Sequence, residues 1–223
     1  MLKFASSFFM QNKCYICGKR TTEKYICDKC FYKFSLYKNL KFYKEDYNKN
    51  NKDICIEYLF VFDYKDYIRK LILAYKFFNK PYLGKVFSEF IIRDKKICQK
   101  LKSYDIIIPV PMSKKSKKIR GYNQTEIIAE MISKNIGIKY IKNVLLKQKE
   151  TKKQSSLNRK DRLNNVKNAY KINVKFCEYL SYKKIILFDD IYTTGATINE
   201  CLKVIINTTE NLKSILVIIL AKD

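Results

Sequence analysis

The run Ile185-Ile186-Leu187-Phe188-Asp189-Asp190-Ile191-Tyr192-Thr193-Thr194-Gly195-Ala196-Thr197 decides how this chain is read. It passes from four apolar residues to two carboxylates, then to a tight Thr/Gly turn, then to a segment able to open a helix. Backbone N–H groups and hydroxyls at the start of a helix favour an anion, and the helix dipole adds a partial positive charge. Asp189 and Asp190 precede that cradle, where they would repel a phosphate but can accept hydrogen bonds from sugar hydroxyls. A ribose 5-phosphate satisfies both halves. A nucleotide-binding P-loop of the usual form is excluded, because no Gly-Lys-Ser/Thr follows the turn.

Outward from this run, strand-like apolar stretches at Ile54–Phe62, Asp105–Val110, Lys184–Phe188 and Ser214–Leu220 alternate with helical patterns near Tyr64–Phe77, Leu83–Leu101, Gln124–Asn135 and Ala196–Thr208. Such alternation predicts an α/β fold: a parallel sheet flanked by helices. Ligands bind such sheets at the carboxyl ends of the strands, where Asp189 and Asp190 fall.

The first fifty residues read differently. Cys14-Tyr15-Ile16-Cys17 and Cys27-Asp28-Lys29-Cys30 are two C-x2-C knuckles whose four thiolates can converge on one tetrahedral structural Zn2+, leaving no open position for water. Gly18 follows the first knuckle, where a positive φ lets backbone N–H groups turn toward sulfur. The expected division is a four-cysteine zinc module and linker over 1–50 and the α/β domain over 51–223. Within it, the polar stretch Asn39–Asp53 reads as linker or exposed loop. Cys55, Cys98, Cys177 and Cys201 lack knuckle spacing and read as inert thiols.

The chain carries 46 Lys+Arg against 21 Asp+Glu, a net charge of +25. Such a charge attracts polyanions at long range, and nucleic acid is the obvious partner. A compositional bias toward Lys, Asn, Ile and Tyr explains the excess equally well. Around the knuckles, Lys19, Arg20, Lys24 and Lys29 lie among Tyr15, Tyr25, Phe31 and Tyr32, a mixture that suits phosphates and unstacked bases of single-stranded DNA. The alternative is that these rings pack on their own chain.

Histidine is absent, which removes imidazole-based nucleophilic triads, acid–base catalysis and metal ligation. No stretch approaches the roughly 20 apolar residues of a membrane span, so the expectation is a cytoplasmic protein that is not integral to a membrane. A reducing cytosol favours metal ligation over disulfides for paired cysteines.

The pattern hydrophobic-Asp-Asp-x-x-Thr-Thr-Gly-x-Thr over Phe188–Thr197 is similar to the loop of type I phosphoribosyltransferases that binds 5-phosphoribosyl 1-pyrophosphate (PRPP). Three further features resemble the ComF competence family within that superfamily. They are Pro109-Val110-Pro111 leading to Arg120-Gly121-Tyr122-Asn123-Gln124; the stretch from Gln154 to Tyr170 with Leu157, Arg162 and Asn165; and the cysteine pairs. Tyr64–Phe77, reading Tyr-x6-Leu-Ile-x3-Lys-Phe, also resembles an early helix of that family.

The resemblance implies that Asp189 and Asp190 hold the ribose 2- and 3-hydroxyls, that Thr193, Thr194, Gly195, Ala196 and Thr197 hold the 5-phosphate, and that Mg2+ accompanies PRPP. Arg120 is the preferred pyrophosphate contact, because its fork binds phosphate bidentately. Lys147–Arg162 resembles the flexible loop that closes over such sites. The family also implies natural transformation, with incoming single-stranded DNA as partner. No acceptor-binding element is recognisable, so whether a reaction is catalysed stays open. Two other functions stay open too: a metabolic phosphoribosyltransferase braced by zinc, and a module docking on a helicase or other DNA-uptake protein.

Overall fold

A computed structural model describes residues 12–22, 25–49, 52–150 and 159–223. In chain order it contains β1 (Asn12–Lys13), β2 (Arg20–Thr21), α1 (Asp28–Ser35), β3 (Lys38–Lys49), β4 (Lys52–Asp63), α2 (Asp66–Phe77), α3 (Tyr82–Arg93) and α4 (Lys95–Leu101). Then follow β5 (Ile106–Pro109), α5 (Lys114–Arg120), α6 (Gln124–Ile136), β6 (Lys139–Tyr140), β7 (Leu145–Lys147) and α7 (Arg159–Val166). The last part holds β8 (Tyr170–Ile172), α8 (Cys177–Leu180), β9 (Lys184–Tyr192), α9 (Ala196–Thr208) and β10 (Ser214–Lys222).

Six strands form the main sheet in the order β3-β4-β10-β9-β5-β6. All neighbours are parallel except β3 and β4. Buried runs on β9 and β10 alternate between the two faces, as the two-residue period of a strand requires. Ile186, Phe188, Leu216, Ile218 and Leu220 meet the core built with α2, α3, α4 and α6, whereas Ile185, Leu187, Ile215, Val217 and Ile219 meet the core built with α9. The expected helix over Leu83–Leu101 is two helices, broken where Asp94 leaves helical geometry and caps α4 by accepting from the Ile97 N–H at 3.1 Å.

The stretch read as a linker is not one. Residues 38–49 and 52–63 pair antiparallel, β3 with β4, and so add an edge strand to the main sheet. Polar composition misled because β3 is an edge strand with much of its length in solvent, where charged residues are well tolerated. The cysteine segment is likewise continuous with the body: Cys14, Ile26, Cys30 and Phe34 are buried in the same core as Leu59, Phe62, Phe87 and Phe90.

The site follows from this topology. From β5 the chain runs outward to β6, and from β9 it runs the other way to β10, so the crevice beyond the carboxyl ends of β5 and β9 is the switch point of the sheet.

Candidate functional site

The crevice is closed on one side by the end of β9. Asp189 and Asp190 are both buried, and the Asp190 N–H donates to Asp189 Oδ1 at 2.9 Å. Burial, with the Asp190 carboxylate beside it, pushes the Asp189 carboxyl up to about 7. Beyond them Thr193–Thr197 turn into α9. Gly195 there has φ +75°, and a Cβ on it would strike the Tyr192 ring, so both backbone and space demand glycine. Asp189, Tyr192, Thr193, Gly195, Ala196 and Thr197 line one narrow cleft, and the Tyr170 hydroxyl is hydrogen-bonded to the Thr197 side chain.

The raised Asp189 carboxyl carries a stability signature. The native chain keeps a proton that the unfolded chain releases above about pH 4. This group therefore favours folding least at high pH: its contribution falls as pH rises from about 4 through about 7. Asp189→Asn is expected to remove that slope, seen as a difference in Tm against pH between wild type and variant. Parallel Tm curves for the two proteins would refute a raised Asp189.

Asp190 is held from the other direction. Lys76 Nζ lies 2.9 Å from its carboxylate, with side-chain exposures of 15% and 7%, so the pair is largely desolvated. Gln124 Nε2 donates to Asp190 Oδ2 at 2.6 Å, and Gln124 Oε1 accepts from Arg120. The segment Arg120–Gln124 builds this chain residue by residue. Gly121 ends α5 in a left-handed conformation, Asn123 caps α6 by accepting from the Thr125 N–H at 3.3 Å, and Tyr122 stacks on Tyr75. Tyr75 in turn donates to the Gln124 carbonyl at 2.8 Å. Arg120 thus enters the site through Gln124, its guanidinium lying 5.4 Å from the Phe77 ring centroid.

Sequence reasoning gave Lys76 no role, although it falls in the quoted helix pattern. The available signal was its place on the stripe Ile68, Ile72, Lys76, one turn beyond two buried positions. Lys147 was likewise missed as a site residue. It ends β7 near Cys201, Asp189 and Glu150, and burial lowers its ammonium against the opposing pull of these three groups. Of the segment similar to a closing loop, Gln154 and Leu157 lie outside the described residues, while α7 begins at Arg159.

In the N-terminal segment the four cysteine sulfurs lie within 4.8 Å of one another, and Cys17 Sγ and Cys27 Sγ are 3.8 Å apart. Four sulfurs about 2.3 Å from a tetrahedral Zn2+ stand about 3.8 Å from each other, so the set fits that ion. Burial and the facing sulfurs of Cys17, Cys27 and Cys14 push the Cys30 thiol up, while burial of Cys14 is outweighed by backbone contacts from Cys27, Cys17 and Ile16 that bring it to about 6. Gly18 has φ +72°, and its N–H donates to the Cys14 carbonyl at 2.9 Å, closing the first knuckle.

Lys19, Arg20 and Lys29 are exposed around this cluster, and Lys24 lies outside the described residues. Several neighbouring rings are engaged within the chain. Tyr15 packs on Tyr25 and Tyr82, and Phe31 lies against Phe90 with the Arg93 guanidinium 4.0 Å from its centroid.

A mostly parallel sheet flanked by helices, an acidic strand end feeding a Thr/Gly loop, and a four-cysteine cluster in the N-terminal segment define an α/β protein with a ligand crevice at its sheet switch point and an added element able to hold a metal ion. Its relatives sharpen this. The chain is homologous to Competence protein F of Haemophilus influenzae, 34% identical over 138 residues, and to Competence protein ComFC of Streptococcus pneumoniae, 34% identical over 150 residues. It is also 24% identical over 143 residues to the DNA utilization protein YhgH of Escherichia coli O6:H1.

These matches cover 60%, 65% and 63% of this chain, and the chain spans only 60–61% of the length of these curated relatives. No protein-family model matches the chain. Among solved structures, adenine phosphoribosyltransferase from Thermoanaerobacter pseudethanolicus superposes with a TM-score of 0.36 at 14% identity, over 86% of this chain and 87% of that one. These relatives carry the names of competence and DNA-utilization proteins. No helix among the described residues is long and apolar enough to cross a membrane.

Proposed function

We propose that this chain is a cytoplasmic competence protein that handles incoming single-stranded DNA and carries a pocket for PRPP with Mg2+. The observation that carries the pocket is the buried Asp189–Asp190 pair facing the Thr193–Thr197 turn at the switch point of the sheet. Carboxylates there accept from ribose hydroxyls, and the start of α9 offers N–H groups to the 5-phosphate. Lys147 lies near Asp189 and Arg120 is linked to Asp190 through Gln124, so both bring cationic charge to the surroundings of the pocket. Mg2+, when bound, would neutralise pyrophosphate oxygens and take its ligands mainly from the ligand itself. Zinc in the four-cysteine cluster acts as a structural brace, in keeping with Tyr15 and Phe31 packing on their own chain.

Calorimetric titration with PRPP is expected to give Mg2+-dependent binding to the wild-type protein. No heat of binding at about 1 mM PRPP would sink the pocket. A deletion strain is expected to lose natural transformation, and intact DNA uptake would remove the biological half of the reading. The engagement of the knuckle aromatics also favours a second reading, a metabolic phosphoribosyltransferase with a bracing metal. That reading requires pyrophosphate release from PRPP on addition of an acceptor base or amine.

A further inference from the structure

We propose that single-stranded DNA binds on the rim of the pocket formed by the end of α2 and by α5, with Phe77 and Phe78 as stacking platforms for bases. This rests on the DNA-handling reading above and assigns it a surface.

Phe77 and Phe78 are consecutive, end the helix that supplies Lys76 to Asp190, and stand 59% and 68% exposed. Two adjacent phenylalanines left in solvent contribute little to the fold, and their faces suit unstacked bases. The Arg120 guanidinium lies beside the Phe77 ring, and Ile119 is 78% exposed.

The charge around these rings is strongly positive. α5, Lys-Lys-Ser-Lys-Lys-Ile-Arg, has no buried residue, so its cations stand in solvent along its length. Lys117 is paired with Glu126 at 2.9 Å, but Lys114, Lys115 and Lys118 are exposed, as is Lys80 just beyond Phe78. The α5 helix is held to the body near Phe77 through Tyr122, whose hydroxyl donates to the Tyr75 carbonyl. Rings flanked by a row of cations match a flexible polyanion whose bases are free to stack, and do not match a duplex, whose bases are already paired. At the zinc knuckles, Tyr15, Tyr25 and Phe31 are already packed against other rings of the chain, which leaves Tyr32, 66% exposed, as a single open ring where the rim presents two adjacent ones. The α2–α5 rim therefore offers both stacking faces and cations.

The test is fluorescence anisotropy of the full chain with oligo(dT) of about 20 nucleotides, longer than the usual site on one such module. Measurements run through a salt series that includes about 0.15 M. Three variants are compared: F77A/F78A, K114Q/K115Q/K118Q and K19Q/R20Q, each required to keep the wild-type Tm. F77A/F78A is expected to weaken binding roughly tenfold per ring removed while leaving the much weaker binding of an abasic strand unchanged. The triple Lys variant is expected to lower the salt slope by about 1 per Lys. K19Q/R20Q is expected to change affinity less than either. Loss of binding in K19Q/R20Q with F77A/F78A unaffected would overturn the proposed surface and leave the DNA-handling reading standing. Failure of the wild-type chain to bind at about 0.15 M salt would overturn both.

Discussion

Removing metal from the four-cysteine cluster with excess chelator is expected to lower the Tm of the entire chain by about 10–30 °C, in one transition. The cluster is not a detachable bead. Cys14 and Cys30 are buried in the same core as Phe34, Phe62, Phe87 and Phe90, so α1 and the sheet share one apolar contact region. Structural Zn2+ sites contribute apparent binding free energies of about 10–16 kcal/mol, which is folding free energy when the apo site is not formed. Half of that, about 5–8 kcal/mol, corresponds to the stated shift at about 2–4 °C per kcal/mol for a chain of this size.

Without the ion, the sulfurs face one another at close range and Cys30 is held protonated by burial and by its neighbours. Cys27→Ser is expected to reproduce most of the effect and to reduce metal content below one ion per chain, read by elemental analysis. A wild-type protein that contains no metal and melts at the same temperature with and without chelator would sink the metal site. Metal loss without a shift in Tm would mean that Phe34 and Ile26 hold α1 unaided.

The second large effect is expected at Asp190. Asp190→Ala should destabilise the chain by about 3–5 kcal/mol, because Lys76 is left as a largely desolvated charge without its counterion and Gln124 loses its acceptor. At about 2–4 °C per kcal/mol this is a fall in Tm of roughly 6–20 °C. The milder Asp190→Asn retains a hydrogen-bonding side chain and serves for binding. It should weaken PRPP by about 1–3 kcal/mol through loss of one charge-assisted contact.

Lys76→Met separates two roles for the lysine. If it neutralises Asp190 so that a polyphosphate can approach, the variant binds PRPP more weakly. If it only occupies the carboxylate in the free protein, PRPP binds more tightly. The first outcome is expected, since two buried carboxylates without a cation would repel pyrophosphate. Calorimetry on the three variants, beside their melting curves, checks both parts, and unchanged PRPP binding in Asp190→Asn would overturn the placement of the pocket.

The sequence by itself determined the parts whose chemistry is local. Continuous apolar runs at 185–188 and 214–220 specified strands buried on both faces, because alternate residues must face opposite sides of a sheet. The C-x2-C spacing specified a sulfur cluster, because a knuckle is formed within one turn of chain. The Asp-Asp-x-x-Thr-Thr-Gly run specified a strand, a turn and a helix start within thirteen residues.

Tertiary structure alone decided the rest. Lys76 meets Asp190 across 114 residues, and nothing local to either predicts the pairing. Arg120 reaches the site only through Gln124, because the close packing of Tyr75 and Tyr122 fixes where α6 begins. Residues 38–49 became an edge strand because β4 leaves one side unpaired, and backbone pairing outweighed their polar composition. Tyr15 and Phe31 beside the knuckles pack on the chain for a similar reason, since the ring surfaces of Tyr82 and Phe90 lay within reach, whereas Tyr32 stays in solvent. Spacing along a chain reports groups held together by a few bonds. Contacts between distant segments depend on which surfaces the packed core leaves facing one another.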